Sequence, residues 1–236
     1  AEKVLLHADS TGAGTRPAPA GVEGLHIVRL REPTALEPVL YNPVFCLVLQ
    51  GEKMVCVGKQ ALCFNRLRSV VIGIDLPTQG RVVEASREKP YIAMALDLDI
   101  GLIREMSADL PEPTPDCRNC AVGLADADQE LLDAMGRLFS LKDKPEAQAI
   151  LRPLLVREIH YWLLVSGHGS MLRSLALPDS RSARIARVAA EIRRNFSDTL
   201  KIPDLAREAG MSSSAFHEHF RAFTGTSPLQ YQKQIR

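Results

Sequence analysis

His217, Glu218 and His219 stand side by side in "SSAFHEHF", and a carboxylate between two imidazoles raises the chemistry of a metal centre. The spacing refuses it. Residues two apart in a helix lie about 200° around the axis, so His217 and His219 point to nearly opposite sides and cannot hold one ion. Cys117 and Cys120, in "CRNC", have half the spacing of a zinc site, but no second C-x-x-C or histidine pair completes it. A surface loop with two free thiols is the expectation, with a redox-sensitive pair as the alternative. Cys46, Cys56 and Cys63 fall on three consecutive expected strands. Each reads first as a small apolar side chain. The alternative is a sensor thiol modified by an aldehyde, another electrophile or an oxidant, which demands an accessible sulfur of low pKa. Tyr41 and Gln50 join these three cysteines as candidate contacts for a reversible small-molecule effector in an apolar site.

Those residues must be positioned by the elements around them. Residues 1–21 are rich in Gly, Ala, Pro and Thr and are expected as a flexible arm. From residue 22 to about residue 98 come short apolar or alternating runs: "GLHIVRL", "FCLVLQ", "KMVCVG", "QALCFN", "SVVIGIDL", "RVVEAS" and "PYIAMALDL". Closely spaced strands without helical interruption predict an antiparallel barrel or sandwich. Helical texture follows over residues 99–166, with "DIGLIREMSADL" as a short helix and two longer ones over 125–141 and 146–165. In the last of these, Ile150, Leu151, Leu154, Leu155, Ile159, Trp162 and Leu163 recur at helical spacing. Such a stripe packs on its own domain or forms a homodimer contact through helices 125–165. Gly, Ser and Pro then mark residues 167–181 as a linker, and residues 182–236 read as an all-helical domain.

The charge is uneven. Residues 181–236 carry 10 Lys/Arg against 5 Asp/Glu, while residues 1–180 carry 19 against 23. A net +5 over the tail suits a polyanionic partner, though a solvated helical surface explains it as well. The start of the chain has neither a basic n-region nor an apolar h-region, and no apolar run is long enough for a membrane span. With an odd count of five cysteines, which favours reduced thiols, this predicts a cytoplasmic protein without a membrane partner.

Within the tail, Pro203 suits the first position of a helix that stops at Gly210, a residue that tolerates a left-handed turn. Ser212 then caps a second helix whose Phe216, Phe220 and Phe223 fall at i, i+4 and i+7. This is helix, tight turn, helix. If the phenylalanine face points back to the protein, Ser214, His217, Glu218 and Arg221 form the outward face, where Arg221 suits guanine or phosphate and Glu218 suits cytosine N4. "SPLQ" reads as a further helix start, with Ser227 as cap and free N–H groups able to hold a phosphate.

The run "RIARVAAEIRRNFSDTLKIPDLAREAGMSSSAFHEHFRAFTGTSPLQYQKQIR" resembles the first half of an AraC/XylS-type DNA-binding domain, on Leu205, Ala206, Gly210, Met211, Ser212, Phe216, Phe220, Phe223, Gly225, Pro228 and Tyr231. Upstream, "YNPVFCLVLQGEKMVCVGKQ", "VVIGIDLP" and "VVEASREKPYIAMAL" resemble the amino-terminal cupin-like domain of one AraC-type branch. The resemblance implies an α+β chain: a cupin-like antiparallel β-barrel with following helices over residues 22–166, then a helix-turn-helix domain. It further implies a bacterial regulator whose partners are promoter double-stranded DNA, a small-molecule effector and RNA polymerase. Carried over by position, residues 213–223 are the recognition helix, and Ser212, Ser213, Ser214, His217, Glu218, Arg221 and Ser227 are its DNA-binding set. Domains of that family carry two helix-turn-helix units joined by a long helix, which residue 236 reaches only at its beginning. These residues without the second unit are expected to bind DNA weakly, with roughly half of the phosphate contacts absent.

The rival class is a cupin-fold metal enzyme. Such a site needs several preorganised imidazole and carboxylate ligands, and the β region offers only His26. Neither a G-x-S-x-G elbow, a P-loop nor a dinucleotide fingerprint occurs. No catalytic residue, metal or cofactor is therefore assigned. A pure interaction protein without DNA affinity is the third class.

Overall fold

The computed structural model describes residues 1–14, 16–111 and 120–236, so Cys117 and the centre of "CRNC" lie outside the described residues. Two antiparallel sheets form the amino-terminal half. The first has the order β1 (Ala18–Pro19), β2 (Leu25–Leu30), β9 (Tyr91–Asp97), β4 (Val44–Gln50), β7 (Arg68–Ile72), β10 (Val122–Asp126). The second runs β3 (Glu37–Tyr41), β8 (Leu76–Glu84), β5 (Glu52–Val57), β6 (Gln60–Phe64). The expected fold class, α+β with a cupin-like antiparallel domain before the helices, stands, but the closed barrel does not. The strands hydrogen-bond as two separate sheets whose inner faces share one apolar cluster.

The central strand β9 shows why its sequence is one continuous apolar run. Tyr91, Ala93 and Ala95 alternate into the space between the sheets, while Ile92, Met94 and Leu96 enter a second cluster on the opposite face. That second cluster is closed by helices: α2 (Ile100–Ser107), α3 (Gln129–Ser140), α4 (Pro145–Val165) and α5 (Gly169–Ala176). Asp99 caps α2, its side chain accepting from the Leu102 N–H at 2.9 Å.

Three expectations need correction. Residues 1–21 are not a loose arm: α1 (Glu2–Thr11) buries Val4 and Ala8 in this second cluster, with Ile92, Met94 and Leu96. Arg29 clamps the turn after this helix, donating to the Ala13 carbonyl from Nε at 3.0 Å and pairing with Asp9, whose carboxyl the Arg31 and Arg29 guanidiniums hold below the usual range. Residues 167–181 are not a linker throughout, because α5 seats Met171 and Leu172 in the same cluster. The helix expected from residue 125 starts at Gln129, since "VGLAD" pairs with β7 as strand β10 instead. The apolar stripe on α4 also divides in two. Ile159 and Leu163 are buried, whereas Ile150 and Leu154 are 69% and 60% exposed.

Two core histidines tie α4 and the turn after it to the sheets. His160 accepts from the Asp99 N–H through Nε2 at 3.0 Å and meets the Val156 carbonyl through Nδ1 at 2.8 Å. His168 is buried beside Phe45, with Nε2 2.8 Å from Ser69 Oγ. Burial lowers the pKa of both, that of His168 to about 4.

The unfolded chain therefore takes up protons that the folded chain refuses, below the ordinary histidine pKa of about 6.5. Stability is fully present above that pH and is lost as pH falls toward 4, by up to about 1.4 kcal/mol per pH unit for each such histidine. Urea midpoints measured from pH 7.5 to 4.5 are expected to fall accordingly. They are expected to fall less steeply for His168→Gln, and an unchanged slope would remove His168 as the cause.

Candidate nucleic-acid interface

Four helices form the carboxyl-terminal part: α6 (Arg181–Arg194), α7 (Ile202–Glu208), α8 (Ser213–Thr224) and α9 (Pro228–Ile235). Pro203 lies in the first turn of α7, where its missing N–H has no intrahelical partner to lose. The helix ends as Gly210 takes φ 63°, with the Met211 N–H reaching back to the Ala206 carbonyl at 2.9 Å. Buried Ala206 and Ala209 have no bulk to hold α7 and α8 apart.

Ser212 caps α8, its Oγ accepting from the Ala215 N–H at 3.3 Å. Phe216, Phe220 and Phe223 are all buried, with ring centroids of Phe216 and Phe220 5.5 Å apart and Tyr231 edge-on to Phe220 at 5.4 Å. Ser214, His217, Glu218 and Arg221 turn away from them and are exposed, as is Ser213 at the start of α8. His219 is half-buried and off this edge. No group of three or more metal-ligating side chains occurs among the described residues. Ser227 caps α9 in a complete capping box, its Oγ accepting from the Gln230 N–H at 3.3 Å while Gln230 Oε1 accepts from the Ser227 N–H at 3.4 Å. The whole set Ser212, Ser213, Ser214, His217, Glu218, Arg221 and Ser227 thus belongs to α8 and to the start of α9. Phe196, whose spacing follows the α6 stripe, lies beyond the helix end and is 44% exposed.

The helical unit does not hang free. The phenylalanines and Tyr231 share one apolar cluster with Val55, Phe64, Leu76 and Val122 of the strands. Four polar contacts seal the junction. The Ala121 N–H donates to the Phe223 carbonyl at 3.1 Å, the Tyr231 hydroxyl donates to the Asp75 carbonyl, and Arg193 pairs with the Asp75 carboxylate and donates to Asn42 Oδ1 at 2.9 Å. At the end of α8, Gly225 meets Gly58 of the β5–β6 turn so closely that a Cβ on Gly58 would lie 2.3 Å from the Gly225 carbonyl oxygen. A cleft of about 610 Å³ opens beside this contact, between Val57, Leu62, Met171 and Phe223. Gly225 and Tyr231 belong to the family pattern, but nothing in the sequence pairs Gly225 with Gly58 or Arg193 with Asp75, because each contact joins residues far apart in the chain.

The five candidate effector residues do not share one place. Tyr41 and Cys46 pack against the cluster between the sheets. Burial pushes the Cys46 thiol up to about 11, the Lys53 ammonium offsetting only part of this. Lys53 lies with its Nζ 5.4 Å from the Tyr41 ring centroid. Burial opposes its charge, yet Tyr41 and Cys46 outweigh burial and hold its pKa above the ordinary lysine value. Lys53 was legible in principle: it is two residues before inward Val55, so alternation aims a lysine between the sheets. Gln50 stands past an irregularity in β4, its amide donating to the Pro90 carbonyl at 2.8 Å. Cys56 and Cys63 lie on the outer face of the second sheet, because their neighbours Val55 and Phe64 fill the inner one.

A two-sheet sensor-like domain welded to a helix-turn-helix with a polar outward edge defines the architecture of a DNA-binding regulator. Residues 21–171 match the family described as AraC-type transcriptional regulator N-terminus, and residues 192–233 match bacterial regulatory helix-turn-helix proteins of the AraC family. The chain belongs to the AraC-type transcriptional regulators. No curated protein matches it. Among solved structures, unsaturated-fatty-acid-bound ToxT from Vibrio cholerae aligns at 11% identity over 89% of this chain and 94% of that chain, with a TM-score of 0.37. The AraC-like transcriptional activator CuxR aligns at 16% identity over 92% and 76%, with a TM-score of 0.39. A cupin-2 domain protein from Shewanella frigidimarina covers 38% of this chain and 90% of its own at 11% identity, with a TM-score of 0.27. These are loose likenesses, and membership rests on the two sequence matches.

The thiol placement has a direct consequence. Brief alkylation of the reduced native protein at pH 8, read by peptide mass spectrometry, is expected to modify exposed Cys63 first, and Cys46 later than Cys56, since both are half-buried but the Cys46 thiol is held up at about 11 and so supplies little thiolate. Labelling of Cys46 ahead of Cys56 would contradict that.

Proposed function

We propose that α8 is the recognition helix and reads base edges in a major groove of promoter DNA through Ser214, His217, Glu218 and Arg221, while Ser212, Ser213 and Ser227 contact phosphates. The observation that carries this is the two-sidedness of α8. Its three phenylalanines are buried, and Ser214, His217, Glu218 and Arg221, which turn away from them, are exposed. Arg221 suits guanine O6/N7 and Glu218 suits the N4 donor of cytosine. No step of this function calls for catalysis or a cofactor, and the chain acts as a regulator in the cytoplasm, where RNA polymerase is a further partner.

The amino-terminal domain supplies the signal. A small-molecule effector enters between the sheets, where Tyr41, Cys46 and Lys53 supply polar groups beside the apolar cluster. The docking of α8 and α9 on those sheets is the physical route by which an effector changes DNA affinity. Two copies associate through α4, whose outer face presents Ile150, Leu151, Leu154 and Val165 to solvent; isolated exposed apolar residues are ordinary, but four on one helix face are not.

Selection of duplexes from a random pool is expected to yield a defined motif. Arg221→Ala is expected to relax one position of it at a cost of about 1–3 kcal/mol, and Glu218→Gln to relax another. Identical motifs from all three proteins would refute base readout by this edge. For the second reading, sedimentation of the wild type is expected to show a dimer and of Ile150→Glu/Leu154→Glu a monomer with unchanged circular dichroism. A dimer that survives both charges places the contact elsewhere.

A further inference from the structure

The β5–β6 hairpin gathers sulfur on one side. Met54 faces Cys63 directly across the pair, and Cys56 faces Ala61. Val55 and Phe64, each 2% exposed, occupy the inner face, so alternation puts Met54, Cys56 and Cys63 together on the outer one. Cys63 is exposed and Cys56 partly so. Exposed thiols on a surface strand are a liability that a purely structural role does not explain.

The spacing selects among the chemistries open to three sulfurs. Residues directly opposite stand about 5 Å apart at Cβ, whereas diagonal neighbours such as Cys56 and Cys63 stand about 7–8 Å apart at Cα. That diagonal exceeds the roughly 7 Å limit for a disulfide. An ion held between the two sulfurs bridges a longer gap than a direct S–S bond, and the methyl of Ala61 leaves room for Cys56 to lean across. Structural zinc takes four ligands, and no group of three or more His, Cys, Asp or Glu side chains lies together among the described residues. Thiolate and thioether donors without oxygen or imidazole select a soft ion, and Cu(I) accepts so small a set. Arg81 on β8 faces Met54 from the other side and is exposed on the same surface. Its positive charge balances a centre that carries two thiolates and one monovalent cation.

We propose that Met54, Cys56 and Cys63 form a sulfur-only Cu(I) site on the outer face of the β5–β6 hairpin, coupled through the hairpin tip to the end of α8. On binding, Cys56 and Cys63 each form a bond to the ion and release their thiol protons to solvent. No electron is transferred. The coupling follows from position. Cys56 is two residues from Gly58, whose backbone touches Gly225 at the α8 terminus; a Cβ on Gly225 would stand 2.6 Å from the Gly58 nitrogen. Two glycine backbones in contact have no side chain to absorb a shift, so a twist of the hairpin drawn by Cys56 and Cys63 moves the seat of α8. This second half rests on the reading of α8 as the recognition helix; the metal site does not.

The test is an anaerobic titration of the reduced protein with Cu(I) against a competing chelator. It is run in a Cys117→Ser/Cys120→Ser background so that "CRNC" takes no part. One tightly held ion per chain with sulfur-only coordination by X-ray absorption is expected. The site is expected to be lost in Cys56→Ser and in Cys63→Ser, weakened in Met54→Leu, and retained in Cys46→Ser. Full affinity in the Cys56→Ser/Cys63→Ser protein, or no tight site in the background protein, overturns the assignment. DNA affinity with and without one equivalent of Cu(I) tests the coupling separately: a shift that disappears in Cys63→Ser supports it. Tight Cu(I) binding with unaltered DNA affinity overturns the coupling and leaves the site. Absence of DNA binding in either state tells against the recognition helix instead.

Discussion

Burial of the phenylalanine edge of α8 is the constraint on which the rest of the molecule depends. Each of Phe216, Phe220 and Phe223 contributes about 1.5–3 kcal/mol by leaving water, and no other orientation of the helix removes all three. Their spacing at i, i+4 and i+7 then decides which residues are left outside. The polar edge is a consequence, not an independent design. Gly210 is equally bound to this constraint, since its left-handed backbone lets α7 turn back across α8 over Ala206 and Ala209.

The same burial joins the two halves of the chain. Phe223 and Tyr231 complete a cluster with strand residues, so the cover of the helix-turn-helix is partly the inner face of a sheet. A surface that is shared in this way cannot shift on one side only. Asp75 shows the arrangement in miniature: its carboxylate pairs with Arg193 of α6, and its carbonyl accepts from Tyr231 of α9. Both contacts fail together if the sheet edge moves. The helical unit is therefore held to the strands by apolar packing and a few short polar links.

How much of this the sequence disclosed depends on which interactions are local. The helix-turn-helix was legible because a cap, a left-handed glycine and a helical period are properties of neighbouring residues, and α7, α8 and α9 start where Pro203, Ser212 and Ser227 predict. Most strands were legible from alternation. β3 was not, because "EPVLY" carries a proline and is an edge strand with mixed exposure, and β10 was not, because "VGLAD" is short and abuts a helical pattern. The arm over residues 1–21 misled through composition: Gly, Ala and Pro suggest disorder, yet Val4 and Ala8 find a groove in the body of the protein. The candidate site divides the same way. The exposed edge of α8 was readable. The separation of Cys46 from Cys56 and Cys63 was not, because it depends on which face of each strand is inner, and only pairing between distant strands decides that.

Electrostatics requires the same distinction between counting and placing. The tail has a net +5, but several of its cations are already engaged within the fold: Arg193 with Asp75, Arg194 with Glu191 at 2.5 Å, Arg207 with Asp204 at 3.0 Å. Among the described residues no ion pair involves Arg221, and it stands on the exposed edge of α8 beside His217 and Glu218. The other seven cations of the tail, Arg181, Arg184, Arg187, Lys201, Arg221, Lys233 and Arg236, form no ion pair among the described residues and leave the helical unit basic toward a polyanion. Glu218 acts in the opposite sense. If α8 is the recognition helix proposed above, a carboxylate at the centre of its exposed edge weakens attraction to every phosphate alike, which favours selection of sequence over mere retention of DNA.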